Sequence, residues 1–396
     1  MSVLSGQHLF DRDVPRFLES PAGVLPPYPR RTWLRWTMRG ILALPLIAVV
    51  VRYALLAPEP WHDTANQALL ARVRDGAGAA DFGQLLTTFS PPLGALPALV
   101  LPTELLLALG GALLGGFFLQ GLDQAMFRRG LHGIIRLVVI VSLLISPVFV
   151  LLSATDITMF GAIVLFGFGL IDIVRFENLA NTQAGFRAGL LLGAAAMTDV
   201  RAIPLVLTVA IVGTLLIHSR PQARAANAVI VAFPTVAVTV ALALAGVIIG
   251  SGPLTFLRTD TTSAVRAIEA LVSDPLSEPL MLYLAPVLVV AITAGVFGFA
   301  RSGVMMLLIA VGALAGVLVG SPLISAAALA YLLVHISVAI LPTESPAQHA
   351  AIVVMCAVLV GIVGWAVASR LPEAQEWSVI FTGFGPGPSP TVGGTG

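Results

Sequence analysis

Lysine is absent from this chain: all 21 basic residues are arginine, and charged residues of either sign make up only 10% of the 396 positions. A soluble protein cannot cover its surface with so few charges while 58% of its residues are hydrophobic. Cysteine is nearly absent too. The single one, Cys356, lies in the apolar run "AAIVVMCAVLVGIVGWAV", which excludes an intrachain disulfide and a cysteine metal cluster and leaves a small packing side chain. No Walker loop, dinucleotide glycine fingerprint, Cys/His cluster or nucleophile elbow occurs. The net charge of +1 selects no partner by sign, and no nucleic-acid partner is expected.

What the chain has instead is long apolar runs. Read between charged or Pro/Gly breaks, they give about eleven membrane spans at roughly 20 residues each. These fall near 40–57, 95–119, 135–152, 157–174, 187–198, 203–218, 226–250, 280–300, 302–319, 322–341 and 349–368. The expected fold class is therefore all-α, a polytopic helical membrane bundle. Residues 1–39 read as a cytosolic tail closed by an interfacial anchor at Trp33, Arg35 and Trp36, and they begin too polar for a cleavable signal. Residues 40–220 read as a membrane core with its first outer loop at 58–94, residues 221–368 as further spans, and 369–396 as a flexible, low-complexity tail.

Charge orients the spans. With the N-terminus cytosolic, 14 of the 21 arginines fall on the inner side, among them Arg128, Arg129, Arg136, Arg175 and Arg187, as the positive-inside rule prefers. Arg52 falls inside the first span. Arg72, Arg74, Arg201, Arg258, Arg266 and Arg370 stay outside. The outer side also collects carboxylates at span ends: Asp63, Asp75 and Asp81 in the first loop, Asp156 in "LLSATDITMF", and Asp199 in "AAAMTDVRAIP". A charge at that depth is costly unless paired or wet, so each is a candidate for function. Residues 251–279 form a second large outer loop, in which "TSAVRAIEALV" reads as an amphipathic helix. Glu104 lies within the second expected span.

The order of several stretches resembles the GT-C superfamily of polytopic, lipid-phosphate-sugar-dependent glycosyltransferases, in particular the aminoarabinose transferases and protein mannosyltransferases. "HDTANQALLARVRDG", "ADFGQLLTTF" and "SPPLGALPAL" follow one another as the family's first-loop acidic helix, Gly-Asp turn and Pro pair do. "LLISPVFVLLSATDITMFGAIVLFG" is similar to its next hairpin, and "GFRAGLLLGAAAMTDVRAIPLVLTVAIVG" to the helix pair after that. The likeness covers about residues 40–220. Thr64 stands where the family has Glu, Ser90 where it has a basic residue, and Asp199 where it has Lys or Arg, with Arg201 two positions later.

The resemblance implies a bacterial inner-membrane enzyme that takes a sugar from a polyprenyl phosphate at the outer face, among membrane lipids and any complex partners. It implies Asp63 and Asp156 as the catalytic carboxylates. Such chemistry needs a carboxylate near the acceptor, cations on the departing phosphate, and an opening for the lipid. Asp63 is also placed to cap the helix beginning "TANQ", and Asp156 to cap the fourth span. His62 is a possible proton carrier or a bystander. Arg201, Arg258 and Arg266 suit phosphate, because guanidinium binds its oxygens in pairs. Arg74 falls on roughly the same helical face as Asp63, while Arg72 points elsewhere. Asp199 completes the substrate set. Asp63 with Asp156 would suit Mg²⁺ or Mn²⁺.

Two other readings compete. The missing acidic partner at Thr64 fits a catalytically degenerate member that serves as a subunit of a membrane complex. A lipid or small-molecule transporter would draw on Arg52, Glu104 and His335, but shows no convincing internal repeat. With no sizeable soluble stretch, a nucleotide-sugar enzyme of the usual α/β type is excluded.

Overall fold

The computed structural model describes residues 27–56, 61, 62, 64–77, 89–179, 182–213, 224–249, 252, 265, 269, 273, 277–298, 300–340 and 346–370. Among these, the regular structure is helical, with no strand. In chain order the helices are α1 (Thr32–Leu56), α2 (Ala65–Ala77), α3 (Pro92–Val100), α4 (Glu104–Arg128), α5 (Gly133–Leu144), α6 (Pro147–Thr155), α7 (Ile157–Leu179) and α8 (Thr182–Thr198). Then come α9 (Ala202–Thr208), which loosens into a π turn at Val209–Gly213, and α10 (Arg224–Ile248). Last are α11 (Glu278–Val296), α12 (Ala300–Leu314, ending in a 3₁₀ turn), α13 (Leu323–Ile340) and α14 (Pro346–Arg370).

The chain is a membrane protein by this architecture. Six helices are long and apolar enough to cross a bilayer among the described residues, or seven if the α5–α6 pair counts as one span. The expected spans overlap helices among the described residues, but six or seven, not eleven, meet the length and composition criterion. Exposed apolar side chains such as Leu44, Leu113, Ile134, Phe186, Phe233 and Ile292 suit the lipid that a bundle of this kind needs around it.

Two expected spans change form. The run 95–119 is not continuous: α3 ends at Val100 and α4 starts at Glu104, where Thr103 caps it by accepting from the Leu106 amide. Glu104 thus opens a helix instead of lying inside a span, and an acidic side chain in a first turn meets the positive end of the helix dipole. The run 135–152 is bent by 57° between α5 and α6. Pro147 explains the break, since the residue before a proline is pushed out of the α region and Ser146 is extended there.

The buried centre is α13, whose residues Ala326–Ile340 are nearly all inaccessible. Fully buried Phe118, Phe149, Phe160 and Tyr331 fill the space around it. Within it His335 Nε2 lies 2.7 Å from Ser142 Oγ of α5, a buried hydrogen bond between the two helices. A smaller apolar cluster forms where α2 and α3 lie over the ends of α4 and α7: Leu69, Leu70, Val73, Ala95, Ala98, Leu107 and Ile157. The backbones there pack so closely that a Cβ on Gly94 would overlap the Thr198 carbonyl, and one on Gly111 the Ser153 carbonyl.

Candidate functional site

The first-loop helix α2 is amphipathic in the simplest way. Asn66, Leu69, Leu70 and Val73 recur at three- and four-residue intervals and are buried, while Gln67, Arg74 and Asp75 are exposed. Its cap is Thr64, whose hydroxyl oxygen accepts from the Gln67 amide at 3.3 Å and donates to the Trp61 carbonyl at 3.0 Å. The capping role foreseen for Asp63 therefore belongs to Thr64; Asp63 itself lies outside the described residues, as do Asp81, Arg258, Arg266 and most of the 251–279 loop. Trp61, two positions earlier, has φ +74°, a left-handed conformation that a bulky side chain rarely adopts. Its ring is buried edge-on against Tyr53, centroids 5.0 Å apart, which holds the turn in place. His62 is exposed.

Asn66 ties α2 to the break between α6 and α7. Its amide donates to the Ala154 carbonyl at 2.8 Å, and its side-chain oxygen accepts from the Ile157 amide at 2.9 Å. Those two backbone groups flank Asp156 and would otherwise be orphans of the helix ends. Asp156 is buried in this joint and does two jobs. One oxygen, Oδ1, caps α7 by accepting from the Met159 amide (3.0 Å) and the Thr158 hydroxyl (2.8 Å). The other, Oδ2, accepts from Arg201 at 2.6 Å.

Arg201 comes from the short turn between α8 and α9. Its guanidinium also bonds Asp199, with Nη2 2.6 Å from Oδ2 and Nε 3.0 Å from Oδ1, while the Arg201 backbone amide donates to Asp199 Oδ1 at 2.9 Å. Thr158 Oγ1 is 3.2 Å from Asp199 Oδ2 as well, so one hydroxyl stands between the two carboxylates. Burial would push the Asp156 carboxyl up, but the Arg201 charge, the Met159 amide and the Thr158 hydroxyl together hold it below the usual carboxylate range. Burial likewise works against the Arg201 charge, and the two carboxylates outweigh it, so the guanidinium stays charged.

Asp156, Asp199 and Arg201 are thus in direct contact, although 45 residues separate the first from the last. The fourth member was missed. Arg72, on the flank of α2, is half-buried and feels the negative charges of both Asp156 and Asp199, yet its Nε finds no hydrogen-bond partner among the described residues. Burial of this guanidinium exceeds that attraction and lowers its pKa. Arg74 was expected on the site's side of the helix; it is exposed and reaches the Pro102 carbonyl at 3.4 Å. The two arginines exchange roles because α2 is phased by its buried Leu69–Leu70–Val73 face.

No group of three or more His, Cys, Asp or Glu side chains suited to a metal occurs among the described residues. Of the expected metal pair, Asp156 is bonded to the Arg201 guanidinium and Asp63 lies outside the described residues. No known family, curated protein or solved structure matches the chain.

Proposed function

We propose that the protein is a membrane glycosyltransferase of the GT-C type, moving a sugar from a polyprenyl phosphate to an acceptor at the outer face of a bacterial inner membrane. The observation that supports it most is the gathering of Asp156, Asp199, Arg201 and Arg72 at one end of the bundle, where Asn66 fastens α2 to the joint that carries Asp156. In the reaction the acceptor hydroxyl attacks the anomeric carbon and the bond from that carbon to the phosphate oxygen breaks. The acceptor's proton passes to Asp63, and the departing polyprenyl phosphate gains a negative charge. Arg72 is the cation best placed to receive it, because its guanidinium is less fully engaged than that of Arg201. Asp156 and Asp199 hold Arg201, and Asn66 holds the joint that carries Asp156.

The engagement of Arg201 by two carboxylates also favours a second reading, a degenerate member kept for its fold within a membrane complex. Replacement of Asp63 by Asn separates the two. The active enzyme loses its lipid-linked sugar turnover and accumulates loaded donor in the membrane, measured by mass spectrometry of extracted lipids. A profile unchanged by Asp63→Asn would leave only the structural role.

A further inference from the structure

The buried centre of the bundle holds a group of polar side chains that the proposed transfer reaction does not use. Tyr331 and His335 stand one turn apart on α13, and Ser142 and Ser146 have the same spacing at the joint between α5 and α6. The four side chains face one another in two rungs. In the first, His335 Nε2 and Ser142 Oγ are 2.7 Å apart, and the serine hydroxyl also donates to the Val139 carbonyl at 2.8 Å. In the second, Ser146 faces the Tyr331 hydroxyl, which donates to the Leu359 carbonyl of α14 at 2.9 Å. Cys356 of α14 lies against the same Ser142 hydroxyl. Ser146, Tyr331 and His335 are wholly inaccessible.

Two atoms of this group have no hydrogen bond among the described residues, His335 Nδ1 and Ser146 Oγ. A polar atom buried without a partner is costly, and where several converge in a core an internal water satisfies them. The joint adds further demand. The chain bends by 57° between α5 and α6, and Pro147 brings no N–H to continue the ladder there. The last carbonyls of a helix have no donor from within it, and a kink is a place where water enters. The neighbouring core around Phe118 and Phe160 is equally buried but apolar, so nothing there would hold water.

We propose that the bundle binds internal water at His335 Nδ1 and Ser146 Oγ, a hydration site enclosed by α5, α6, α13 and α14 at the bend of the α5–α6 pair. Water donates and accepts, so it serves a hydroxyl and either tautomer of the imidazole. It ties the bend to α13 through solvent at the second rung, where the first rung uses a direct contact. The site is independent of the transfer reaction, because none of its groups touches Asp156, Asp199 or Arg201.

The test is millisecond X-ray radiolysis of the full chain in nanodiscs, with oxidised residues read by peptide mass spectrometry. Radiolysis makes hydroxyl radicals from bound water in place, so side chains beside internal water are oxidised although bulk solvent does not reach them. The expected result is oxidation of Tyr331, His335 and Cys356, with Phe118 and Phe160 unmodified. A membrane-impermeant radical scavenger leaves this labelling unchanged. Ser146→Ala, the milder variant, reduces the label at Tyr331, and His335→Phe abolishes it. A wild type in which Tyr331 and Cys356 are as unreactive as Phe118 and Phe160 overturns the site. So does labelling that the scavenger quenches, which means a core open to bulk solvent, or labelling that survives both variants in monodisperse protein.

Discussion

At one end of α7 and α8 two carboxylates share one guanidinium; at the other, one carboxylate is bonded by two. The first cluster, Asp156–Arg201–Asp199, has Arg72 within electrostatic reach, and the second joins Asp172 to both Arg175 and Arg187. The difference lies in redundancy. Asp172 has two arginines bonded to it, so losing one leaves it paired. Asp156 and Asp199 depend on the same Arg201, and without it two buried carboxylates face each other across the Thr158 hydroxyl. Equal chemistry at two ends thus gives one cluster that depends on a single guanidinium and another that does not.

The sharpest way to break the comparison is to remove the shared arginine. Arg201→Met should destabilise the folded bundle by about 3–5 kcal/mol, the usual cost of stranding a buried charge, whereas Arg187→Met, with Arg175 still on Asp172, should cost about 1–3 kcal/mol. Denaturant unfolding in mixed micelles, followed by tryptophan fluorescence, would rank them; equal losses would mean that the ends do not differ as described. The pH dependence should also change sign at the fragile end. In the wild type Asp156 is held below its ordinary value, so its contribution is complete above about pH 4 and is lost as pH falls through the lower folded-state value. In Arg201→Met the Asp156 carboxyl loses its cation and burial raises it, so the variant should gain stability as pH falls from about 7 toward 4. Midpoints measured across that range check both slopes.

A smaller effect is expected from the staple. Asn66→Ala removes the partners of the Ala154 carbonyl and the Ile157 amide and leaves two buried backbone groups unsatisfied, at a cost of about 2 kcal/mol. Because these groups flank Asp156, the loss should also loosen α2 from the bundle. Faster amide exchange in residues 65–77, with α13 unchanged, would register it; exchange that rises equally everywhere would argue against a local joint.

Much of this architecture can be read from the sequence, because apolar runs broken by arginine or proline mark helices whatever their packing. The turn carboxylates are equally readable: Asp156 and Asp199 each follow a threonine at the end of an apolar run, and Arg201 is two positions from Asp199. What cannot be read is the pairing of Asp156 with Arg201, since two intervening helices decide which turns meet. Asn66 resembles any polar residue on an exposed helix until the α6–α7 joint is placed beside it. The break at 101–103 was readable in principle, because Pro102 and a Thr103 cap followed by Glu104 form a helix-start signal inside an otherwise unbroken apolar run. The phase of α2 was also within reach. Leu69, Leu70 and Val73 define its buried face, and measuring from them instead of from Asp63 moves Arg72 to the flank of that face and Arg74 out to solvent.

That exchange of arginines yields the smallest and most discriminating prediction. Burial weakens the Arg72 charge more than Asp199 and Asp156 support it, and its Nε is left without a hydrogen bond among the described residues. A side chain in that position costs the fold something, so Arg72→Met, which keeps the length, should leave the melting midpoint unchanged or slightly higher, within about 1 kcal/mol of wild type. If Arg72 receives the departing phosphate, the same variant should lose most of its affinity for a polyprenyl phosphate added in detergent. Arg74→Met, whose bond to Pro102 is long and exposed, should change neither quantity. A midpoint for Arg72→Met that falls as far as that of Arg201→Met would make Arg72 a structural leg of the carboxylate cluster, and that end would then hold its carboxylates as redundantly as the Asp172 end does.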